Sequence, residues 1–238
     1  MKPRQPFLDH LEELRWRLIR SLAATGIFSV AAYFFSKPLL EFLISPLRNF
    51  GDYTLYFHSP YEAFLIHLKV SLVAGILAAS PVFFTELWLF AAPGLHRRER
   101  KAALLLIFFS VLLFTTGAAF AYFLLVPWGL RFFLGFQTDS LRPLLSIGPY
   151  FSFILTMVIA SGVVFDLPVV LLGLVGAGVL SAESLRNARK WVIVLAFVVA
   201  AVVTPTTDPV TQILLSIPLI LLYDICVWVA GWMKGNQK

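Results

Sequence analysis

The chain has 238 residues, of which 59% are hydrophobic, 15% aromatic and only 13% charged, at a mean hydropathy of +0.85. Soluble domains carry about 25% charged residues, so this composition excludes a water-soluble globular protein and leaves an integral membrane protein. The net charge of +6 would point to nucleic acid in a soluble protein, but here it belongs to loops and sets orientation, so no nucleic-acid partner is implied.

In chain order, the first feature is Asp9 followed three residues on by Glu12. That is the spacing of a capping box, and it predicts a helix starting at Asp9 and running into the first apolar stretch. Glu13 has Arg17 four residues on, which makes it either an ion-paired surface residue or a free acidic contact.

A membrane-spanning helix needs roughly 20 apolar residues, and six stretches approach this. They are Leu18 to Ser36, Ile66 to Ala92, Ala102 to Leu134, Leu144 to Ala182, Trp191 to Thr207 and Pro209 to Met233. The first ends in Tyr33, Phe34, Phe35, Ser36, Lys37, Pro38, which is not the small-residue site of a cleaved secretory signal. Between the first two, Pro38, Pro46 and Pro60 break the chain, and Leu39, Leu40, Phe42, Leu43 and Leu47 recur at near-helical spacing. This predicts a short amphipathic helix capping the outer surface.

Fourteen of the 19 Lys and Arg fall on one side of a six-span arrangement, from Lys2 through the Arg97 to Lys101 cluster and Arg186 to Lys190 to Lys238. Only Lys37, Arg48, Lys69, Arg131 and Arg142 fall on the other or its margins. The positive-inside rule therefore predicts both termini in the cytoplasm. The expectation is an all-α integral membrane protein, a single six-span domain over residues 1–238, with no repeat at fixed period.

Few residues carry chemistry. Cys226 is the single cysteine, so neither a disulfide within the chain nor a cysteine-based metal site is available. The loop before the third span reads Pro93, Gly94, Leu95, His96, Arg97, Arg98, Glu99, Arg100, Lys101. Its Pro-Gly pair makes a turn, and Glu99 falls near a helix amino terminus, where a carboxylate is favoured. Asp166 interrupts the fourth span and Asp224 the sixth, and a carboxylate within the bilayer is a functional candidate by default. Glu86, a turn before Phe90, reads as a carboxylate reaching water near the inner interface.

Two readings from other classes use these acids. Tyr223-Asp224 resembles half of an intramembrane aspartyl protease signature, but Gly176-Ala177-Gly178 is followed by Val179 and not by aspartate. No Gly-x-Ser-x-Gly elbow, His-Glu-x-x-His pair or P-loop sequence occurs, so the reading is not an enzyme and needs no cofactor or metal. A proton-coupled secondary transporter with Asp166 as relay lacks the internal repeat such folds show.

His10 to Leu18, reading His-Leu-Glu-Glu-Leu-Arg-Trp-Arg-Leu, resembles the amino-terminal signature of the TatC family, the multispanning receptor of the twin-arginine protein translocase. Ser80-Pro81, Trp88, Phe90, Ala92-Pro93, Arg98-Glu99-Arg100, Ala119 to Phe123, Pro127, Ser152-Phe153, Phe165 to Pro168, Ala196 to Val198, Thr204-Pro205 and Gln212 follow in the family's order, from residue 7 to about 225.

The resemblance implies a receptor in the inner membrane of a prokaryote that binds twin-arginine signal peptides of folded cargo. It assigns the arginine contact to Glu13 and Glu99, with Phe90, Arg15, Arg17 and Arg100 at the same cytoplasmic face. It implies docking of single-span TatA- and TatB-type subunits near Thr204 and Gln212, an oligomeric receptor complex in the lipid bilayer, and the proton-motive force as driver. Asp166 stands where the family commonly carries glutamate facing a concave polar pocket, and Glu86 where glutamine is common.

Overall fold

The structure, a computed structural model, describes residues 6–51, 53–91, 100–138, 143–204 and 208–235. In chain order these form α1 (Pro6–Phe34), α2 (Ser36–Arg48), α3 (Pro60–Ala91), α4 (Arg100–Phe120), α5 (Val126–Leu134), α6 (Ile147–Gly176), α7 (Ala182–Val203) and α8 (Pro209–Gly235). Two short strands, β1 (Leu55–Tyr56) and β2 (Leu145–Ser146), pair in parallel with Leu55 opposite Leu145, a small departure from an all-helical reading.

Among the described residues, four stretches are long and apolar enough to cross a membrane: Pro60–Phe90, Leu104–Leu134, Ile147–Gly176 and Pro209–Trp232. The α1–α2 pair adds a fifth only when taken together across an 81° bend. In α7 the first turns carry Glu183, Arg186, Arg189 and Lys190, so its apolar part starts at Trp191 and stops with the helix at Val203.

Several boundaries move from their sequence positions. Helix α1 starts at Pro6, where proline's missing N–H is one that the helix leaves unpaired anyway. Asp9 is therefore inside α1 and is not its cap. The fourth stretch, expected to run from Leu144 to Ala182, begins after β2 at Ile147 and ends at Gly176. Gly178 adopts φ +73°, its N–H bonds the Val175 carbonyl and the Val179 N–H bonds the Leu174 carbonyl. This is a Schellman closure, which ends the helix although Val179 and Leu180 continue the apolar run. Ser181 then caps α7 by accepting from the Ser184 N–H.

The third stretch is continuous, as expected, but carries a π-helical turn at Ala121–Leu125 between α4 and α5. Val126 N–H bonds back five residues to Ala121, immediately before Pro127, which has no N–H to give.

The amphipathic cap expected near Leu39 to Leu47 is α2, with Leu43, Pro46 and Leu47 buried. Its own proline helps to anchor it. Pro46 offers no N–H to the carbonyl of Phe42, and Tyr122 from the π-helical turn donates its hydroxyl there at 2.5 Å. Tyr150 of α6 donates to the Leu43 carbonyl at 2.9 Å, and the Phe42 and Tyr122 rings stack 4.3 Å apart. Behind this cap, Phe151, Ile154, Met157, Val158 and Phe165 of α6 form the centre of the main core.

Helices α1 and α3 lie side by side with little room between them. A Cβ on Gly75 would stand 2.6 Å from the backbone of Ser29, so glycine sets their separation. That approach places the start of α1 and the end of α3 within side-chain reach of each other.

Candidate functional site

Helical spacing puts His10, Glu13, Arg17 and Arg20 of α1 on one stripe, and Glu86 and Phe90 on one stripe of α3. The two stripes meet. Arg17 donates from Nε and Nη2 to Glu13 Oε1, at 3.0 and 2.5 Å, and from Nη1 to Glu86 Oε2 at 3.0 Å. Arg20 Nη1 stands 3.6 Å from the other Glu86 oxygen. The His10 ring stacks on Phe90 at 4.4 Å and 12°.

Exposure is uneven across this network. Glu86 and Arg17 are 14% and 17% exposed, whereas Glu13 is 36% exposed. Burial opposes the charge on Arg17, but the hydrogen bonds it donates to Glu13 and Glu86, with the charges of both carboxylates, outweigh it and hold the guanidinium above its ordinary value. Glu13 spends only Oε1 on Arg17. Its Oε2 has His10 Nδ1 at 3.9 Å, too far for a hydrogen bond. The site thus offers a carboxylate with one committed oxygen and one open one.

Of the candidates read from sequence, Glu13, Arg17 and Phe90 come together here. Arg15 is exposed and lies two residues from both Glu13 and Arg17, so it leaves the helix on the opposite side. Glu99 lies outside the described residues; Arg100 opens α4, and its side chain is likewise outside them.

Glu86 was read as a water-facing carboxylate and instead joins α3 to α1, as do Arg20 beside it and His10 over Phe90. The available signal was a carboxylate one turn before Phe90 in an otherwise apolar helix. Its partner is 69 residues away.

Asp166 occupies a different place. It is 6% exposed, at the packing of α6 against α4. It hydrogen-bonds Ser110, and Ser110 in turn accepts from Trp88 Nε1 at 2.9 Å. The chain Trp88, Ser110, Asp166 therefore crosses α3, α4 and α6, and Asp166 Oδ1 is buried with no hydrogen-bond partner among the described residues. Two glycines permit this approach: a Cβ on Gly117 would come within 2.6 Å of the Ser161 carbonyl, and one on Gly162 within 2.9 Å of the Phe114 ring. The short Asp166 side chain, buried between helices, ends against Ser110.

The polar groups of α7 and α8 mostly serve each other. Thr204 is buried and donates to the Ala200 carbonyl, and Gln212 donates across the helix pair to the Phe197 carbonyl. Asp208 caps α8 through Oδ1 to the Thr211 N–H at 2.8 Å. Asp224 binds Arg189 through two bonds of 2.8 and 2.7 Å, so the two aspartates of the protease reading have different partners. Among the described residues, no three His, Cys, Asp or Glu side chains group so that they could hold a metal ion.

Residues 9–218 match the family described as TatC, Sec-independent protein translocase protein. The Sec-independent protein translocase protein TatC of Aquifex aeolicus is 42% identical over 98% of both chains. That of Desulforapulum autotrophicum is 41% identical over 99% of this chain and 87% of the relative. A crystal structure described as the twin arginine translocase receptor TatC superposes with a TM-score of 0.82 at 42% identity, over 94% of this chain and 99% of that one.

Proposed function

The chain belongs to the TatC family of Sec-independent protein translocase proteins, and we propose that it binds twin-arginine signal peptides through Glu13 and Glu99. It is a TatC-type subunit of the twin-arginine translocase, a membrane protein of several apolar helices. The family is a translocase receptor family and not an enzyme family.

The observation that carries the reading is the half-committed carboxylate of Glu13, already oriented toward a guanidinium and open on its second oxygen. Guanidinium is a rigid fork that fits a carboxylate through two parallel hydrogen bonds, whereas ammonium is a point charge. Glu86 also holds Arg17, so an arriving arginine can take over the more exposed Glu13 carboxylate while Arg17 stays in place on Glu86. Glu99, between α3 and α4 in the chain, supplies the second carboxylate. Phe90 and His10 give the site an apolar floor, and Arg15 and Arg100 flank it.

Six spans with both termini cytoplasmic complete the reading, the whole chain forming one membrane domain. The lysine and arginine asymmetry supports this orientation, since it puts the basic residues at α1's start, between α3 and α4 and at the start of α7 on one side. Helix α7 crosses a thinned or shielded part of the bilayer, because its apolar part is shorter than a hydrocarbon core of about 30 Å requires. The outer end of the α7–α8 pair, held by Thr204 and Gln212, is where TatA- and TatB-type subunits dock, and Asp166 acts in that assembly. Several receptor copies with those subunits form the export site in a prokaryotic inner membrane, driven by the proton-motive force.

The test is affinity of the purified protein for a signal peptide carrying Arg-Arg and for its Lys-Lys variant. The expected result is a preference for Arg-Arg that disappears in the Glu13→Gln, Glu99→Gln double variant. Equal binding of both peptides by the native protein overturns the proposal.

A further inference from the structure

At the end of the helix pair opposite to Thr204, α7 and α8 border an open groove of about 710 Å³ lined by Arg186, Arg189, Asp224, Trp228, Gly231 and Trp232. Its parts follow helical spacing. Asp224, Trp228 and Trp232 recur every four residues along α8, and Arg186 and Arg189 lie three apart on α7.

The Arg189–Asp224 ion pair lines this groove. Arg189 uses Nε and Nη2 on the two carboxylate oxygens, leaving Nη1 over. Toward the helix ends, Arg186 is exposed and has no ion-pair partner among the described residues. Trp228 and Trp232 are 75% and 65% exposed. An indole offers one N–H donor and no acceptor, and such rings settle where a bilayer meets water. The groove therefore presents donors and two guanidiniums against a single carboxylate that is already bound. It has excess positive charge and exposed ring walls.

We propose that this groove binds the head group of an anionic phospholipid, of the phosphatidylglycerol type, with its phosphate on Arg186 and the indole N–H groups of Trp228 and Trp232. The inference rests on the reading above only in taking α7 and α8 to reach the bilayer. A zwitterionic lipid brings an ammonium that finds no free acceptor here, which is why the anionic class is selected. A basic residue at an anionic membrane surface contributes about 1 kcal/mol, a factor of about five in affinity.

The experiment uses the full chain in lipid nanodiscs and reads quenching of tryptophan fluorescence by brominated phosphatidylglycerol or brominated phosphatidylcholine. Subtracting the signal of the Trp228→Phe, Trp232→Phe double variant isolates these two rings. The expected result is quenching at an about fivefold lower mole fraction of the anionic lipid, a preference that Arg186→Gln abolishes while Arg-Arg peptide binding stays unchanged. Equal quenching by both lipids, a preference that survives Arg186→Gln, or displacement by millimolar inorganic phosphate each overturns the proposal. Quenching by neither lipid overturns it too, and additionally removes α8 from the bilayer, whereas the other failures leave the span assignment intact.

Discussion

Arg17 divides one guanidinium between Glu13 on its own helix and Glu86 on α3. The division leaves the outer carboxylate half-used and the inner one neutralised. Glu86 therefore acts on the candidate site without facing the surface, because it decides how firmly Arg17 holds Glu13.

Glu86→Gln should weaken Arg-Arg peptide binding without abolishing it. With Glu86 neutral, Arg17 turns its full charge on Glu13 and competes harder with an arriving arginine. The expected loss is about two- to fivefold, the scale of one partly exposed ion pair, and smaller than the losses for Glu13→Gln and for Glu99→Gln. Peptide titration by fluorescence anisotropy measures it, and a loss equal to that of Glu99→Gln contradicts this division of roles.

Two glycines of the α1–α3 pair should respond in opposite ways to the same change. Around Gly26 a Cβ meets nothing within 4 Å, whereas at Gly75 it collides with Ser29. Gly26→Ala should leave stability unchanged or raise it by up to about 1 kcal/mol through helix propensity. Gly75→Ala should cost about 2 kcal/mol or more and weaken peptide binding as well, since pushing α1 off α3 separates Arg17 from Glu86. Thermal unfolding in detergent compares them, and equal shifts would show that the helices are not held at this distance.

Tyr122 and Pro46 should behave as a compensating pair. Tyr122→Phe removes the donor from the Phe42 carbonyl, a group that Pro46 already deprives of its helical partner, at an expected cost of about 1–3 kcal/mol. Pro46→Ala restores a backbone N–H at that carbonyl, so the Tyr122→Phe, Pro46→Ala double variant should regain part of the loss. A double variant no better than Tyr122→Phe alone refutes the account of how α2 is anchored.

Local signals were legible in the sequence and distant ones were not. The cap helix α2 could be read because Leu39 to Leu47 repeat at helical spacing, and Glu13 and Arg17 because four residues separate them. The end of α6 was written in Gly178, but the apolar Val179 and Leu180 concealed it in a reading based on hydropathy alone. The Glu86 pair with Arg17 and the Ser110 bond to Asp166 depend on which helix faces come together, which glycines such as Gly75, Gly117 and Gly162 decide through tertiary packing. A carboxylate in an apolar segment announces that a partner exists without saying which.

The buried chain from Trp88 through Ser110 to Asp166 makes the last expectation. Ser110→Ala orphans both neighbours, leaving the Trp88 N–H and an Asp166 oxygen without partners, and should cost about 2–4 kcal/mol. Trp88→Phe removes only the donor at the end of the chain and should cost less. Because the first variant already forfeits the Trp88 bond, the double variant should fall short of the sum of the two by about 1 kcal/mol. Asp166→Ala, by contrast, removes the end of the chain that has an unused oxygen, and it should alter copurification of single-span subunits while Arg-Arg peptide binding stays within about twofold. Stability measurements in detergent give the cycle, and peptide titration with copurification gives the separation. Strict additivity would mean that the three residues do not act as one chain, and peptide binding lost in Asp166→Ala as fully as in Glu99→Gln would join this acid to the signal-reading face.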